Sequence, residues 1–172
     1  MLQATTPYAM DVSDPTREAE FCRPDCAAVL IDAGALVTPS VWDILIRCGA
    51  AGMMALLQQK QVLPRTLVVL AALGDQEGVR ACLDEPEGRD RDAVNYAFMA
   101  ACRFKRETVA AMLLERAIAL HPGLGVEIDR WGGTAEGWAY NVGKDRGMAE
   151  WLATSERERG SGEHTDKKWP PE

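Results

Sequence analysis

Thr66-Leu-Val-Val-Leu-Ala-Ala-Leu-Gly74-Asp75-Gln-Glu-Gly-Val-Arg-Ala-Cys-Leu-Asp84 decides the fold class of this chain. It reads as two short helices hinged at Gly74-Asp75: Ala and Leu favour helix, and glycine stops a helix just past its end. The same cadence, a turn followed by apolar pairs, recurs along the chain. Gly49 leads to Met53-Met54 and Leu56-Leu57, and Gly74 to Val79 and Cys82-Leu83. Arg103-Phe104 leads to Val109 and Leu113-Leu114, and Gly143 to Met148 and Trp151-Leu152. A truncated first copy runs from Cys26 to Ala35 and holds only the second half. Equivalent apolar pairs are spaced by about 26, 26, 31 and 38 residues. Units of this length bury their core by stacking on one another.

Working outward, residues 24–33 form a helix stopped by Gly34, and Thr38-Pro39 opens the next, with Thr38 as its N-cap. Val41, Trp42, Leu45 and Ile46 fall on one side of that helix, which Gly49 breaks before residues 53–59. Further pairs are expected at residues 66–73 and 76–84, 93–102 and 106–119, and 135–142 and 146–154. Residues 84–92, with Pro86 and Gly88, read as a charged surface loop whose Asp, Glu and Arg side chains pair with one another. No stretch sustains a strand's alternation. The reading is an all-α solenoid of stacked antiparallel helix pairs. It spans residues 18–153 in about four and a half units, between a loose arm at 1–17 and a polar, disordered tail at 154–172.

Composition narrows the function classes. The chain has 172 residues and a formal charge of −7, with 47% hydrophobic but only 6% aromatic residues. Nucleic acid is a poor partner for that balance, because its binding rests on Lys and Arg neutralising phosphates; a basic protein partner suits it. Cys22, Cys26, Cys48, Cys82 and Cys102 are an odd set in apolar stretches, read as reduced, buried thiols of a cytoplasmic protein. Only His121 and His164 could join them at a metal, so neither metal nor cofactor is expected. The most apolar run, 66–73, is too short to cross a membrane. No Cys or His stands beside a partner that would activate it for catalysis, so no enzymatic activity is expected.

Two places stand out as contact candidates. One is the charged loop with Asp84, Glu85, Asp90, Arg91 and Asp92. The other is the aromatic set Trp131, Trp138, Tyr140 and Trp151, with Arg130-Trp131 in a long connection, since Trp, Tyr and Arg anchor interfaces.

The stretch Asp129-Arg-Trp-Gly132-Gly-Thr134-Ala-Glu-Gly-Trp138-Ala-Tyr-Asn-Val-Gly143 resembles the ankyrin repeat. Leu70-Ala71 before Gly74, Ala100-Ala101 before Arg103-Phe104, and Leu30-Ile31-Asp-Ala-Gly34-Ala35 are similar to the family's paired small residues and its closing motif. The small residues let neighbouring helices approach closely. The chain departs from the family in its short spacings against a usual repeat of about 33, in lacking Thr-Pro-Leu-His, and in placing Phe104 where a turn glycine is usual. The resemblance implies a non-enzymatic protein-interaction scaffold, monomeric apart from its partner, such as a small inhibitor or immunity-type protein for a basic protein. A second reading is a regulatory or host-directed adaptor that recruits an unrelated partner through its polar tail.

Overall fold

The computed structural model describes residues 22–120 and 146–159. Among them the chain is all-helical, with eight α-helices and one 3-10 turn. They are α1 (Pro24–Asp32), α2 (Pro39–Cys48), α3 (Ala51–Gln59), α4 (Leu67–Leu73), α5 (Gln76–Asp84), α6 (Arg91–Arg103), α7 (Glu107–Leu120) and α8 (Arg146–Arg159), with the turn at Pro86–Arg89. The expected helix at 135–142 and the stretch 129–143 lie outside the described residues. So do Arg130, Trp131 and Trp138.

Among the described residues the turns of the repeated cadence share one physical cause. Five helices end on a residue in the left-handed region: Gly34, Gly49, Gln61, Gly74 and Lys105, at φ 91°, 71°, 56°, 82° and 58°. In each case the next N–H reaches back five residues to a carbonyl inside the helix. Ala35 N donates to Leu30 O at 2.9 Å, Ala50 to Leu45 at 3.0 Å, Val62 to Leu57 at 3.2 Å, Asp75 to Leu70 at 3.0 Å and Arg106 to Ala101 at 2.8 Å. These bonds satisfy carbonyls that a helix end leaves open, and reverse the chain in two residues. The turn residue of the fourth unit is therefore Lys105, not Phe104, whose φ of −93° is ordinary. A side chain in the left-handed region costs about 1 kcal/mol relative to glycine. Exposed Lys105 offers a direct test: Lys105→Gly should raise stability by about 1 kcal/mol, read as a higher denaturation midpoint in urea.

Helix starts differ in their caps. Asp75 Oδ1 accepts from Gly78 N at 2.9 Å, and Asp90 Oδ1 from Ala93 N at 3.0 Å. The second cap moves the start of α6 to Arg91, inside the segment read as loop. Thr38 does not cap α2 through its side chain; its hydroxyl pairs with that of Ser40 at 3.0 Å. At the other end α8 continues to Arg159, past the polar boundary at residue 154.

Packing follows the pairs. α2 lies against α3, α4 against α5, and α6 against α7; across units α4 packs on α6, α5 on α7, and α1 on α3. The most extensive contact is between α4 and α6, whose Ala71, Ala72, Ala97, Ala100 and Ala101 are all buried. Small side chains there leave room for two backbones to come together. The core is completed by Ile46, Met54, Phe98, Met99, Leu113 and Leu152.

One feature exceeds a simple row of stacked pairs. Residues 67–72 of α4 are buried without a break. Successive helix residues are about 100° apart, so six buried in a row leave no exposed side. α4 is a central helix, enclosed by its neighbours.

Candidate interaction surface

The acidic loop is built from the ends of α5 and α6. α5 stops at Asp84 and Glu85 turns the chain into extended conformation. Gly88 N then donates to Glu85 O at 3.0 Å, closing the 3-10 turn. Arg116, two turns into α7, clamps the loop from below: its Nε donates to Gly88 O at 3.0 Å and its Nη2 to Leu83 O at 2.7 Å. Gly88 is buried and has no room for a side chain, since a Cβ there would lie 2.3 Å from Leu83 Cα. The loop's backbone is held by Arg116 and by its own turn. Asp84, Glu85, Arg89, Asp90 and Asp92 are exposed, and Arg91 is half-buried. Asp90 is occupied as the α6 cap, whereas Asp84, Glu85 and Asp92 project with no cap to make.

A second polar group joins α2 to α6. Tyr96 Oη donates to Asp43 Oδ1 at 2.5 Å, and Arg47 Nη2 pairs with Asp43 Oδ2 at 2.7 Å. Relative to each unit's left-handed turn residue, Asp43, Val68 and Met99 occupy the same place. Position alone did not mark Asp43, because the partner that makes its carboxylate tolerable is 53 residues away. Burial, then the bond to Asp43, hold the Tyr96 hydroxyl well above the ordinary phenol range.

Of the cysteines, Cys102 is buried, Cys22, Cys48 and Cys82 are half-buried, and Cys26 is exposed on α1, against the expectation of five buried thiols. Burial pushes the Cys102 thiol up to about 12. Both Tyr96 and Cys102 therefore keep their protons in the folded chain when the unfolded chain has lost them. Their contribution is fully present below about pH 9 and is lost as pH rises toward 12. Thermal melts should show a falling midpoint across that range, and Tyr96→Phe should make the fall shallower while lowering stability near neutrality by about 1 kcal/mol.

A third surface escaped the sequence reading. Val29, Leu30, Leu36, Val41 and Ile44 are large apolar side chains left exposed, Leu36 at 89% and Val29 at 68%. α2 turns Leu45 and Ile46 fully inward and Trp42 partly so, leaving Val41, expected on the same side, at the surface. A half-open cleft of about 150 Å³ lies between Gln58, Gln61, Arg65 and Asp75. Among the described residues no three or more His, Cys, Asp or Glu side chains gather where they could hold a metal ion. No helix of theirs is long and apolar enough to cross a membrane.

No protein-family model, curated protein or solved structure matches this chain.

Proposed function

We propose that the protein is a non-enzymatic interaction scaffold, an ankyrin-like array of helix pairs curled around α4, acting as a small inhibitor or immunity-type protein on a basic protein partner in the cytoplasm. The observation that supports this reading most is the clamped acidic loop. Asp84, Glu85 and Asp92 are exposed on a backbone fixed by Arg116, Gly88 and the Asp90 cap. A loop that is already ordered loses little freedom on binding, so more of its contact energy appears as affinity. Its carboxylates, in a chain of charge −7, steer a cationic surface toward it.

The test separates contact from stability. The intact chain is used to capture partners from its native cell, which are identified by mass spectrometry and then purified for titration. The triple variant Asp84→Lys, Glu85→Lys, Asp92→Lys leaves the Asp90 cap and the Arg116 clamp in place. Binding should weaken at least about tenfold in the variant, and wild-type binding should weaken as salt rises. A partner held equally well by both chains, without salt dependence, removes the reading.

A further inference from the structure

We propose that the cleft at the junction of the α2–α3 and α4–α5 units binds a free α-amino acid with an apolar side chain. The connection that follows α3 runs past the end of α4 there. Leu63 and Pro64 of the connection and Leu70 and Leu73 of α4 give the cleft an apolar lining, with Leu70 buried and the others half-buried. The polar residues form its rim. Gln58, Gln61 and Arg65 are exposed, and Asp75 is half-buried. An apolar recess with a few polar groups at fixed places is how small-molecule sites are commonly built.

Two opposite charges share this rim without meeting. Among the described residues the Arg65 guanidinium makes no hydrogen bond or ion pair. The Asp75 carboxylate makes only its helix cap, Oδ1 accepting from Gly78 N at 2.9 Å. A cation and an anion that line one cleft and stay apart suit a ligand that carries both complementary charges. Phosphates and other anions would face Asp75, and polyamines would face Arg65. A residue inside a peptide chain carries neither charge. A free amino acid carries its ammonium and carboxylate on one carbon, and the amides of Gln58 and Gln61 can bond what Asp75 and Arg65 leave open. Size agrees. The cleft is half-open and about 150 Å³, and a cavity of that order accepts a molecule the size of benzene. That is room for an aliphatic side chain, with the charged groups held at the open side. The acidic loop lies at the opposite end of α5, so this site and the proposed partner contact can fail independently.

The experiment is a titration of the full chain at neutral pH with L-leucine, followed by amide and leucine-methyl NMR. Saturable shifts are expected in residues 58–75, with a Kd on the order of 1 mM or below. N-acetyl-L-leucine lacks the ammonium and L-leucinamide lacks the carboxylate, so each should bind at least about tenfold more weakly. Arg65→Gln and Asp75→Asn should each weaken leucine binding to a similar degree. Arg65 is exposed and asparagine caps a helix as well as aspartate does, so thermal midpoints without ligand should stay near wild type. Absence of a saturable shift up to about 10 mM leucine overturns the inference. Equal binding of leucine and both derivatives, or full affinity in both variants, overturns it as well.

Discussion

Gly88→Ala should cost the protein about 3 kcal/mol, lowering its thermal midpoint by about 10 °C. Backbone angle is not the reason, since Gly88 does not sit in the left-handed region. Space is the reason. The added Cβ would fall 2.3 Å from Leu83 Cα and 2.4 Å from Leu83 O, and backbone atoms cannot rotate aside. The 3-10 turn must lift off the end of α5. That movement carries Gly88 O away from Arg116 Nε, breaking one of the two bonds that clamp the loop. Arg116 would then be a half-buried guanidinium that keeps only Leu83 O, which adds to the loss. Urea denaturation followed by circular dichroism gives the number. A change below about 0.5 kcal/mol would mean the turn relaxes freely and the loop is not preorganised. Because the acidic side chains stay in place, the same variant also probes the proposed partner contact, which should weaken as the loop loses order.

Val68→Asp should prevent cooperative folding, with a loss of about 4 kcal/mol or more against a total stability of typically 5–15 kcal/mol. The substitution looks harmless from the repeat alone. Asp43 holds the same place in α2, and there a carboxylate is stably accommodated. It has Arg47 and the Tyr96 hydroxyl beside it and keeps partial contact with water. Val68 is 7% exposed on a helix buried all round, so a carboxylate placed there is desolvated. It then either holds its charge at high cost or takes up a proton. Loss of the cooperative urea transition at neutral pH, with partial recovery below pH 5, is the expected pattern. A folded Val68→Asp chain within about 1 kcal/mol of wild type would mean that α4 keeps an open side, as in an extended row of repeats.

Much of the fold was legible in the sequence because the signals were local. A left-handed glycine after Leu70-Ala-Ala-Leu73 and an Asp cap before Gln76 act within a few residues, so α4 and α5 were bounded almost to the residue. Lys105 was missed as a turn residue because it carries the left-handed conformation without being glycine. The start of α6 was missed because Asp90 in a charged run reads as loop until its carboxylate is seen on Ala93 N. Within the candidate site, Asp84, Glu85 and Asp92 were marked by composition. Arg116, which holds them in position, was not, since its target carbonyls lie 28 and 33 residues upstream. The exposed apolar end was hidden because Val41 and Ile44 are as apolar as Leu45 and Ile46, and periodicity alone does not say which side is covered.

By itself, the sequence determined that the chain is helical, where its helices stop, and that a cadence of apolar pairs repeats. Those properties depend on backbone conformation and capping, which act over a few residues. Only the tertiary structure decided that α4 is enclosed, that Asp43 finds Tyr96, that Arg116 clamps the acidic loop, and that Leu30 and Leu36 remain uncovered. Each of these depends on which distant side chain arrives at a given face, and identical local patterns carry no record of that.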